Sequence, residues 1–238
     1  MSAEQTTIQE ITFDDLTNPE RLEHIYEAEL DFYWSSDWSP EFYIELAKAG
    51  FISVAHDFGG MHLLLPQIQS AYAVLDWENL HASRSTRRWM RSAACLDQGY
   101  ELSVGHDLFA VLDGIQTCHG DINWMTGRYL DLLPALLIRE WEDFELMPIG
   151  LVNGFGELVA GEIGYRCGRI YTSLTGFSDR RHNHAGKLQL LRLGEFLREA
   201  GYAFWNLGHP YMQYKLDLGA KILPRAEFLK RWEQGCGA

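Results

Sequence analysis

The sequence has no long hydrophobic run and no signal for export. A membrane-spanning helix needs roughly 20 apolar residues, and one of the longest apolar stretches, residues 130–138, is interrupted by Asp131 and Pro134. The first 15 residues are polar and acidic, without the basic start and apolar segment of a secretory signal. The sequence therefore predicts a cytoplasmic protein that does not associate with a membrane.

Cysteine is scarce, and its spacing shows no pairs. The four cysteines, Cys95, Cys118, Cys167 and Cys236, form no CxxC motif, which argues against a zinc ribbon, a redox motif or a disulfide framework. The sequence also has no GxSxG nucleophile elbow, and no His, Asp or Glu cluster has convincing metal-ligand spacing. We expect reduced thiols, no bound metal and no nucleophilic hydrolase.

Basic residues are outnumbered by acidic ones. Lys and Arg total 20 against 33 Asp and Glu, which gives a formal net charge of −13 at pH 7. Proteins that coat nucleic acid neutralise its phosphates with Lys and Arg, so this balance argues against DNA binding by bulk charge. A small local basic patch is still compatible with it.

One such patch lies in the segment HASRSTRRWMRS. Ser83 is a candidate N-cap for a helix that starts here. Four arginines then fall at i, i+3, i+4 and i+7, and so on one helical face: Arg84, Arg87, Arg88 and Arg91. A charged stripe is usually a solvated face, but four like charges without an acid repel one another. A phosphate or other anion site is therefore an equal alternative.

The 238 residues, of which 47% are hydrophobic, can form one large domain or two unequal ones. Helices are predicted over residues 19–30 and 40–49, the second with Ser39 as N-cap and Gly50 after its end. Residues 51–71 look irregular. We therefore predict a small N-terminal subdomain, residues 1–71, and a larger domain, residues 72–238.

The last third of the chain has the clearest pattern. Asn153-Gly154 between apolar runs predicts a hairpin with a type I′ turn, and a turn near residues 166–168 leads into a third strand. A basic loop, an amphipathic helix over residues 187–200, a strand, a short helix and a final segment follow. This order predicts an α+β fold of the acetyltransferase-like type, with a mixed sheet.

Four blocks of the sequence carry a resemblance to a known family. They are DWSPEFYIELAKAGFI, AVLDWENLHASRSTRRWMR, GELVAGEIGYRCGRIYTSLTGFS and LGAKILPRAEFLKRW. In the same order they resemble GDLSPERLLAAYRRGIF, AVLPLDEFHVSRSLRRTLR, GELVGGLYGVALGRVFFGESMFS and LGAREIPRAEFL of the leucyl/phenylalanyl-tRNA–protein transferases. These bacterial enzymes move Leu or Phe from tRNA to the N-terminus of proteins with a basic first residue.

The resemblance implies a diverged aminoacyltransferase that moves an amino acid from tRNA to an amine, either a protein N-terminus or a small molecule. Aminoacyl-tRNA would be its co-substrate, and no cofactor is implied. The arginine stripe corresponds to the family's basic helix, where the acceptor end of tRNA would lie. Lys187 matches the lysine of the family's NASK loop, at the start of a helix, where free N–H groups favour anions.

Three positions are candidates for a substrate pocket. Trp124 and Phe177 match aromatic residues of the family, and Leu174 stands where the family has the acid of its GESMFS segment. The two aromatic residues would line a pocket for an amino-acid side chain or for the terminal adenine. Plain core packing is the alternative and is the commoner role of buried aromatic residues.

The family's acid–amide pair at the reacting centre is replaced. The Asp and Gln of its DCQ strand end fall on residues 205–209, where Asn206 replaces the Asp in one register and His209 replaces the Gln in the other. We take both as candidate catalytic residues. Imidazole titrates near neutral pH and can accept a proton; turn capping before Pro210 is the alternative for His209.

Glu162 lies in the strand LVAGEIGY, where the family usually has an apolar residue. It could be a relocated acid. An exposed strand carboxylate fits the burial statistics of Glu better, and we expect exposure.

Two other functions remain open. An acyl-CoA-dependent N-acetyltransferase would need a Gly-rich loop for pyrophosphate, but RRHNHAGK has Asn183 where the first Gly belongs. A catalytically inactive binding paralogue would explain the replaced positions, and the acidic surface would suit a protein partner.

Overall fold

The computed structural model describes residues 8–237, and its N-terminal part contains short helices and two small sheets. The elements are β1 (Gln9–Glu10), α1 (Phe13–Thr17), α2 (Pro19–Glu27), β2 (Tyr33–Trp34), α3 (Pro40–Lys48), β3 (Ile52–Phe58) and β4 (Met61–Gln67). β1 and β2 pair in parallel, whereas β3 and β4 are antiparallel.

The start of α3 follows its local sequence. Ser39 Oγ accepts a hydrogen bond from the Phe42 N–H at 3.3 Å, and Pro40 occupies the first helical position. A side-chain cap satisfies an N–H group that has no partner inside the helix, and proline has no N–H to satisfy. The predicted helix over residues 40–49 is confirmed, and the one predicted over residues 19–30 ends earlier, at Glu27.

β3 and β4 correct the prediction that residues 51–71 are irregular. They form a hairpin closed by Gly59 and Gly60, whose φ angles are 62° and 88°. Two successive positive φ angles match the twist of paired strands, and glycine adopts them without steric cost. The prediction failed because the part of this hairpin near its turn, residues 56–62, is exposed, so the apolar alternation that marks a strand is weak there.

A seven-stranded sheet occupies most of the remaining described chain. Its strands are β5 (Ala71–Leu75), β6 (Glu101–Val104), β7 (Phe144–Val152), β8 (Leu158–Cys167), β9 (Ile170–Ser178), β10 (Phe204–Asn206) and β11 (Lys221–Pro224). Their order across the sheet is β11-β5-β10-β9-β8-β7-β6. β9 and β10 run parallel while the other neighbours are antiparallel. The sheet is therefore mixed, and the predicted α+β class is confirmed.

Helices cover both faces of this sheet. They are α4 (Arg84–Met90), α5 (Ala93–Leu96), α6 (Leu108–His119), α7 (Arg128–Leu137), α8 (Ala185–Glu199), α9 (Gln213–Leu218) and α10 (Arg225–Cys236). The predicted order of three meander strands, helix, strand, helix and strand is confirmed by β7 through β11.

The two faces have separate cores. On one, which we call the α6 face, Val74 and Tyr165 pack with side chains from α3, α6, α7 and α10. On the other, the α8 face, Tyr171 and Trp205 pack with leucines of α8. Ile11 shares the first cluster with residues of α10, so the N-terminal part packs on the same core as the sheet. The subdomain boundary near residue 71 stays a prediction, and residues 1–7 of that subdomain lie outside the described residues.

The β7–β8 hairpin is confirmed, but its turn is not of type I′. In the loop between β7 and β8, the residue with a positive φ angle is Gly156, at 83°, and not Asn153 or Gly154. Asn153 acts through its side chain, because its Oδ1 accepts from the N–H groups of Phe155 (3.0 Å) and Glu157 (2.9 Å). Asparagine can close a turn in either way, and the dipeptide alone does not distinguish them.

Cys167 and Cys236 form a disulfide, so the expectation of reduced thiols is wrong for this pair. β8 and α10 end beside each other, and the Arg169 N–H donates to the Gly235 carbonyl at 2.8 Å. The Cα atoms of the two cysteines lie 5.2 Å apart, within the range that a disulfide requires. Their separation of 69 residues along the chain hides this proximity from any argument on local spacing.

Arg225, at the start of α10, ties three chain segments together. Its guanidinium is mostly buried and donates to four carbonyl groups and one carboxylate, those of Ala28, Leu30, Ile68, Gln69 and Asp31. Hydrogen bonds from a charged donor are stronger than neutral ones. This one side chain therefore fastens the segment before β2 and the segment before β5 to α10.

Replacing Arg225 tests this role. Arg225→Met leaves five buried or half-buried acceptors without their donor, and we expect the free energy of unfolding to fall by about 3–5 kcal/mol in urea denaturation. Arg139→Met is the matched control, because Arg139 forms an exposed ion pair with Glu41, and it should cost less than about 1 kcal/mol. Equal, small losses in both variants would contradict the assignment.

Candidate active site

β9 and β10 pair over three residues and then separate. The pairs are Phe204 with Ile170, Trp205 with Tyr171, and Asn206 with Thr172. β10 ends there, whereas β9 continues to Ser178. Residues 173–178 belong to a central strand, yet each of them is partly exposed, so solvent reaches this part of the strand. We name this opening, between residues 173–178 and residues 207–215, the β9–β10 cleft.

A buried carboxylate lies beside the cleft on the α8 face. Glu162 in β8 is only 4% exposed, so the expectation of an exposed carboxylate is wrong. Its Oε1 accepts from Tyr171 Oη at 2.9 Å and Ser173 Oγ at 2.7 Å, and its Oε2 accepts from Gln189 Nε2 at 3.0 Å. These three donors replace the water that an exposed carboxylate would bind. Burial raises the pKa of Glu162, while the hydrogen bonds and the charge of Lys215 act in the opposite direction.

Lys215 in α9 is a buried cation whose charge acts on Glu162, and the sequence did not predict it. The residue is 5% exposed. Burial lowers the pKa of its ammonium group to about 8, against the attraction of Glu162. The sequence QYKLDL does not show that this lysine is buried. A signal for Glu162 was available, since it is the one acid in the strand LVAGEIGYRC.

Asn206 is the last residue of β10 that pairs with β9, and it lies at the closed end of the cleft, on the α6 face. It is fully buried; its Nδ2 donates to Thr172 Oγ1 at 3.3 Å, and its Oδ1 accepts from the Gly208 N–H at 2.9 Å. These bonds fix the point at which the chain leaves the sheet. The predicted catalytic role of Asn206 remains a prediction.

His209 follows the same strand end and is exposed. Its ring lies 4.3 Å from the ring of Tyr211, and its Nδ1 is 3.5 Å from the Tyr211 nitrogen, a long contact of the kind expected for a turn cap. Desolvation and the positive charge of Lys215 lower the pKa of His209, and Asp31 opposes them. A lowered pKa favours neutral imidazole at pH 7, which is the form that accepts a proton.

Leu174 and Phe177 lie on the part of β9 that has left β10. The register between β8 and β9 shifts at Leu174, so this residue has no partner in β8, and such bulges change where side chains point. Phe177 packs closely on α6, because a Cβ added to Gly114 would lie 2.2 Å from its ring. Both residues sit at the margin of the core on the α6 face.

Trp124 reaches the same face from the loop between α6 and α7. Its ring is 5.1 Å from that of Tyr129. The loop begins next to the cleft, because His119 at the end of α6 has its Nε2 2.8 Å from the carbonyl oxygen of Gly176 in β9. Trp124, Leu174 and Phe177 therefore share the α6 face with Asn206, and each of the three stays partly exposed.

The three arginines of α4 and Arg91, the residue after it, lie in solvent, and Ser83 caps the helix as predicted, accepting from the Thr86 N–H at 3.2 Å. None of the four forms an ion pair with another residue in the range 8–237. Trp89 of this helix is 5.0 Å from His184, the residue before α8. Lys187 is exposed in the first turn of α8. We name Arg84, Arg87, Arg88, Arg91 and Lys187 the basic surface.

β9 connects the cleft with the basic surface. The strand runs from the point of separation to Ser178, and residues 179–184 then lead to the start of α8 and its contact with α4. At about 3.3 Å per residue, residues 173–178 extend over roughly 17 Å. The arginines and the pocket candidates thus do not touch one another, but one strand joins their two locations.

The described residues contain neither a metal-binding cluster nor a membrane-spanning helix. Among residues 8–237, no three His, Cys, Asp or Glu side chains come close enough together to hold an ion. Nor does any helix in that range have the length and apolarity that crossing a bilayer requires.

Comparison with solved structures gives remote likenesses. L-PGS from Bacillus licheniformis is 14% identical, with a TM-score of 0.44 over 71% of this chain and 65% of that one. The C-terminal domain of a protein from Agrobacterium fabrum described as a lysylphosphatidylglycerol synthetase is 13% identical, with a TM-score of 0.43 over 84% and 71%. A protein from Enterococcus faecalis described as an N-acyltransferase is 12% identical, with a TM-score of 0.39 over 86% and 46%. The chain spans less than two thirds of the length of L-PGS. We draw no conclusion from likenesses this weak.

The sequence itself matches a family. A search of curated proteins finds no match, but a family model described as leucyl/phenylalanyl-tRNA protein transferase matches residues 74–233, more than half of the chain. The matched region extends from β5 into α10 and includes the cleft and the basic surface. The chain therefore belongs to the leucyl/phenylalanyl-tRNA protein transferase family.

Proposed function

We propose that this protein moves an amino acid from charged tRNA to an amine, at a reacting centre that has diverged from the family pattern. The observation that carries the proposal is the β9–β10 cleft, an opening in the middle of the sheet that β9 connects to a row of exposed arginines. The acceptor is a protein N-terminus or a small amine. The separating parallel pair also supports the finer description of the fold as acetyltransferase-like.

The basic surface would bind the phosphates of the acceptor end. Exposed guanidinium groups without acidic partners are free to pair with phosphate, which they contact bidentately. Lys187 lies in the first turn of α8, where the helix dipole favours anions. The net charge of −13 opposes extensive coating of RNA, so the proposed contact is local.

The α6 face of the cleft would hold the aminoacyl end. Trp124, Leu174 and Phe177 present partly exposed apolar surface there, which suits an apolar amino-acid side chain or the terminal adenine. Leu174 cannot ionise, so the proposed pocket has no charge at the position of the family's acid.

Transfer requires few chemical steps because the ester of charged tRNA is already activated. A neutral amine attacks the ester carbonyl, the new C–N bond forms, and the C–O bond to the ribose breaks. The amine loses one proton, and the ribose oxygen gains one. His209 would accept the proton from the amine, and Asn206 would fix the strand end that carries it; positioning supplies the rest of the rate.

We propose the remaining features of the protein on the same basis. Residues 1–71 would form the small subdomain and residues 72–238 the acetyltransferase-like domain. The protein would act in the cytoplasm, on charged tRNA, without DNA, membrane or a cofactor.

The transfer reaction can be tested directly. The purified protein, incubated with tRNAs each charged with one labelled amino acid and with a panel of peptides and small amines, should give a labelled amide product. No product from any charged tRNA would contradict the proposal. Thermal stabilisation by coenzyme A, together with no transfer from tRNA, would favour the acetyltransferase alternative, and a stable protein complex without turnover would favour the binding paralogue.

The basic surface makes a separate prediction. Arg87→Ala/Arg88→Ala should weaken binding of charged tRNA and lower the dependence of log Kd on log salt by about 1 for each lost phosphate contact. Arg21→Ala/Arg139→Ala removes the same charge from exposed ion pairs elsewhere and is the matched control. If both double variants bind tRNA with the same affinity and salt slope, the basic surface does not contact tRNA.

His209 makes a prediction about rate. His209→Gln should lower the transfer rate about 100-fold, a typical contribution of a general base, with tRNA affinity unchanged. Because the pKa of His209 is lowered from 6.5, its neutral form persists below that pH. The test is the ratio of the wild-type rate to the variant rate, because ionisation of the acceptor amine affects both rates equally. This ratio should therefore stay constant near pH 7 and fall only below pH 6.5. If wild type and variant have nearly the same rate at all pH values, His209 only caps the turn and does not accept the proton.

A further inference from the structure

Lys215 places a cation inside the protein at the edge of the β9–β10 cleft. Its Nζ donates to the carbonyl oxygens of Leu207 at 2.5 Å and His209 at 2.7 Å. Both carbonyl groups lie just beyond Asn206, the last residue of β10 that pairs with β9. A lysine on the short helix α9 therefore reaches back to the segment that leaves the sheet.

The hydrogen bonds from Lys215 pair two carbonyl groups of the segment that leaves the sheet. On the β5 side, this segment stays bonded: the Leu207 N–H donates to the Ala73 carbonyl at 2.9 Å, and the Gly208 carbonyl accepts from the Ala73 N–H at 2.8 Å. Buried carbonyl groups need donors, and an ammonium group has three. Lys215 thus allows the strands to separate without leaving buried acceptors unpaired.

Stability alone does not explain a buried Lys215 and Glu162. Burial lowers the pKa of the lysine to about 8 and raises the pKa of the glutamate, so each charge is held against its desolvation cost. Apolar residues of similar volume often give equal or greater stability than buried charges of opposite sign. What apolar residues cannot do is donate hydrogen bonds to the Leu207 and His209 carbonyl groups. The geometry that the lysine imposes is therefore its distinctive contribution.

We propose that Lys215 is a positioning residue: by holding the Leu207 and His209 carbonyl groups, it keeps the cleft open and fixes the main chain from which the His209 imidazole projects. Glu162 supplies the opposite charge that lets the ammonium group stay buried. Only the catalytic consequence rests on the proposed function. The geometric claim concerns the protein without any substrate.

The geometric claim can be tested by NMR on the full chain. Lys215→Met removes the donors and the charge with little change in volume. We expect the amide signals of residues 207–209 to shift and the pKa of His209 to rise, because Lys215 lowers it and Asp31 opposes that effect. Lys215 interacts with the charges of Glu162 and His209 and with the Tyr214 ring. Lys221→Met, in the exposed start of β11, is the control and should change neither measurement.

Further variants separate positioning from loss of folding. Glu162→Gln/Lys215→Met leaves no unpaired buried charge, so it should unfold cooperatively and show the same changes at His209. Lys215→Arg keeps the charge and the donors and should restore part of the wild-type signals. If the folded double variant has wild-type amide signals at residues 207–209 and a wild-type pKa at His209, Lys215 does not position this segment.

Kinetics test the catalytic consequence. Lys215→Met should lower kcat for transfer by about tenfold or more while KM for charged tRNA stays within about twofold, because the proton acceptor is misplaced and tRNA binding is not. Lys215→Arg should recover part of the rate. An unchanged kcat in a folded Lys215→Met protein would overturn this consequence. If wild-type protein transfers nothing, the proposed function fails, yet the NMR comparison still decides whether Lys215 positions His209.

Discussion

The parallel hydrogen bonding of β9 and β10 stops after Thr172 and Asn206, in the middle of a seven-stranded sheet. An interrupted sheet leaves backbone groups that must find other partners. On the β10 side, Lys215 donates to the carbonyl groups of Leu207 and His209, and on the β9 side, His119 bonds to the carbonyl group of Gly176. The two sides of the cleft are therefore held by specific hydrogen bonds, and the candidate residues of both faces are arranged around the cleft.

Charge is distributed unevenly around this opening. The chain as a whole carries −13, yet α4 and the residue after it present four exposed arginines that form no ion pair with another described residue. At physiological ionic strength, charges more than about 8 Å apart are largely screened, so a phosphate beside α4 responds chiefly to these guanidinium groups. The proposed local contact with tRNA is therefore compatible with an acidic chain.

Local sequence signals were sufficient where neighbouring residues decide the structure. Ser39 and Ser83 cap their helices where predicted, and the collinear blocks identified the family. They failed where distant segments meet. The burial of Glu162 depends on donors from β9 and α8 and on Lys215 in α9, and the disulfide of Cys167 depends on how β8 and α10 end. The sequence located most candidate residues, whereas the polar network under the cleft needed the fold.

The central claim, that the β9–β10 cleft receives the charged end of tRNA, is most directly tested by cross-linking. A tRNA that carries a photoreactive group on its 3′-terminal adenosine should label residues 173–178 or 206–209 of the full chain, and excess unmodified charged tRNA should suppress the labelling. Labelling confined to the β3–β4 hairpin or to the surface around α1, α2 and α10, with none at the cleft, would contradict the claim.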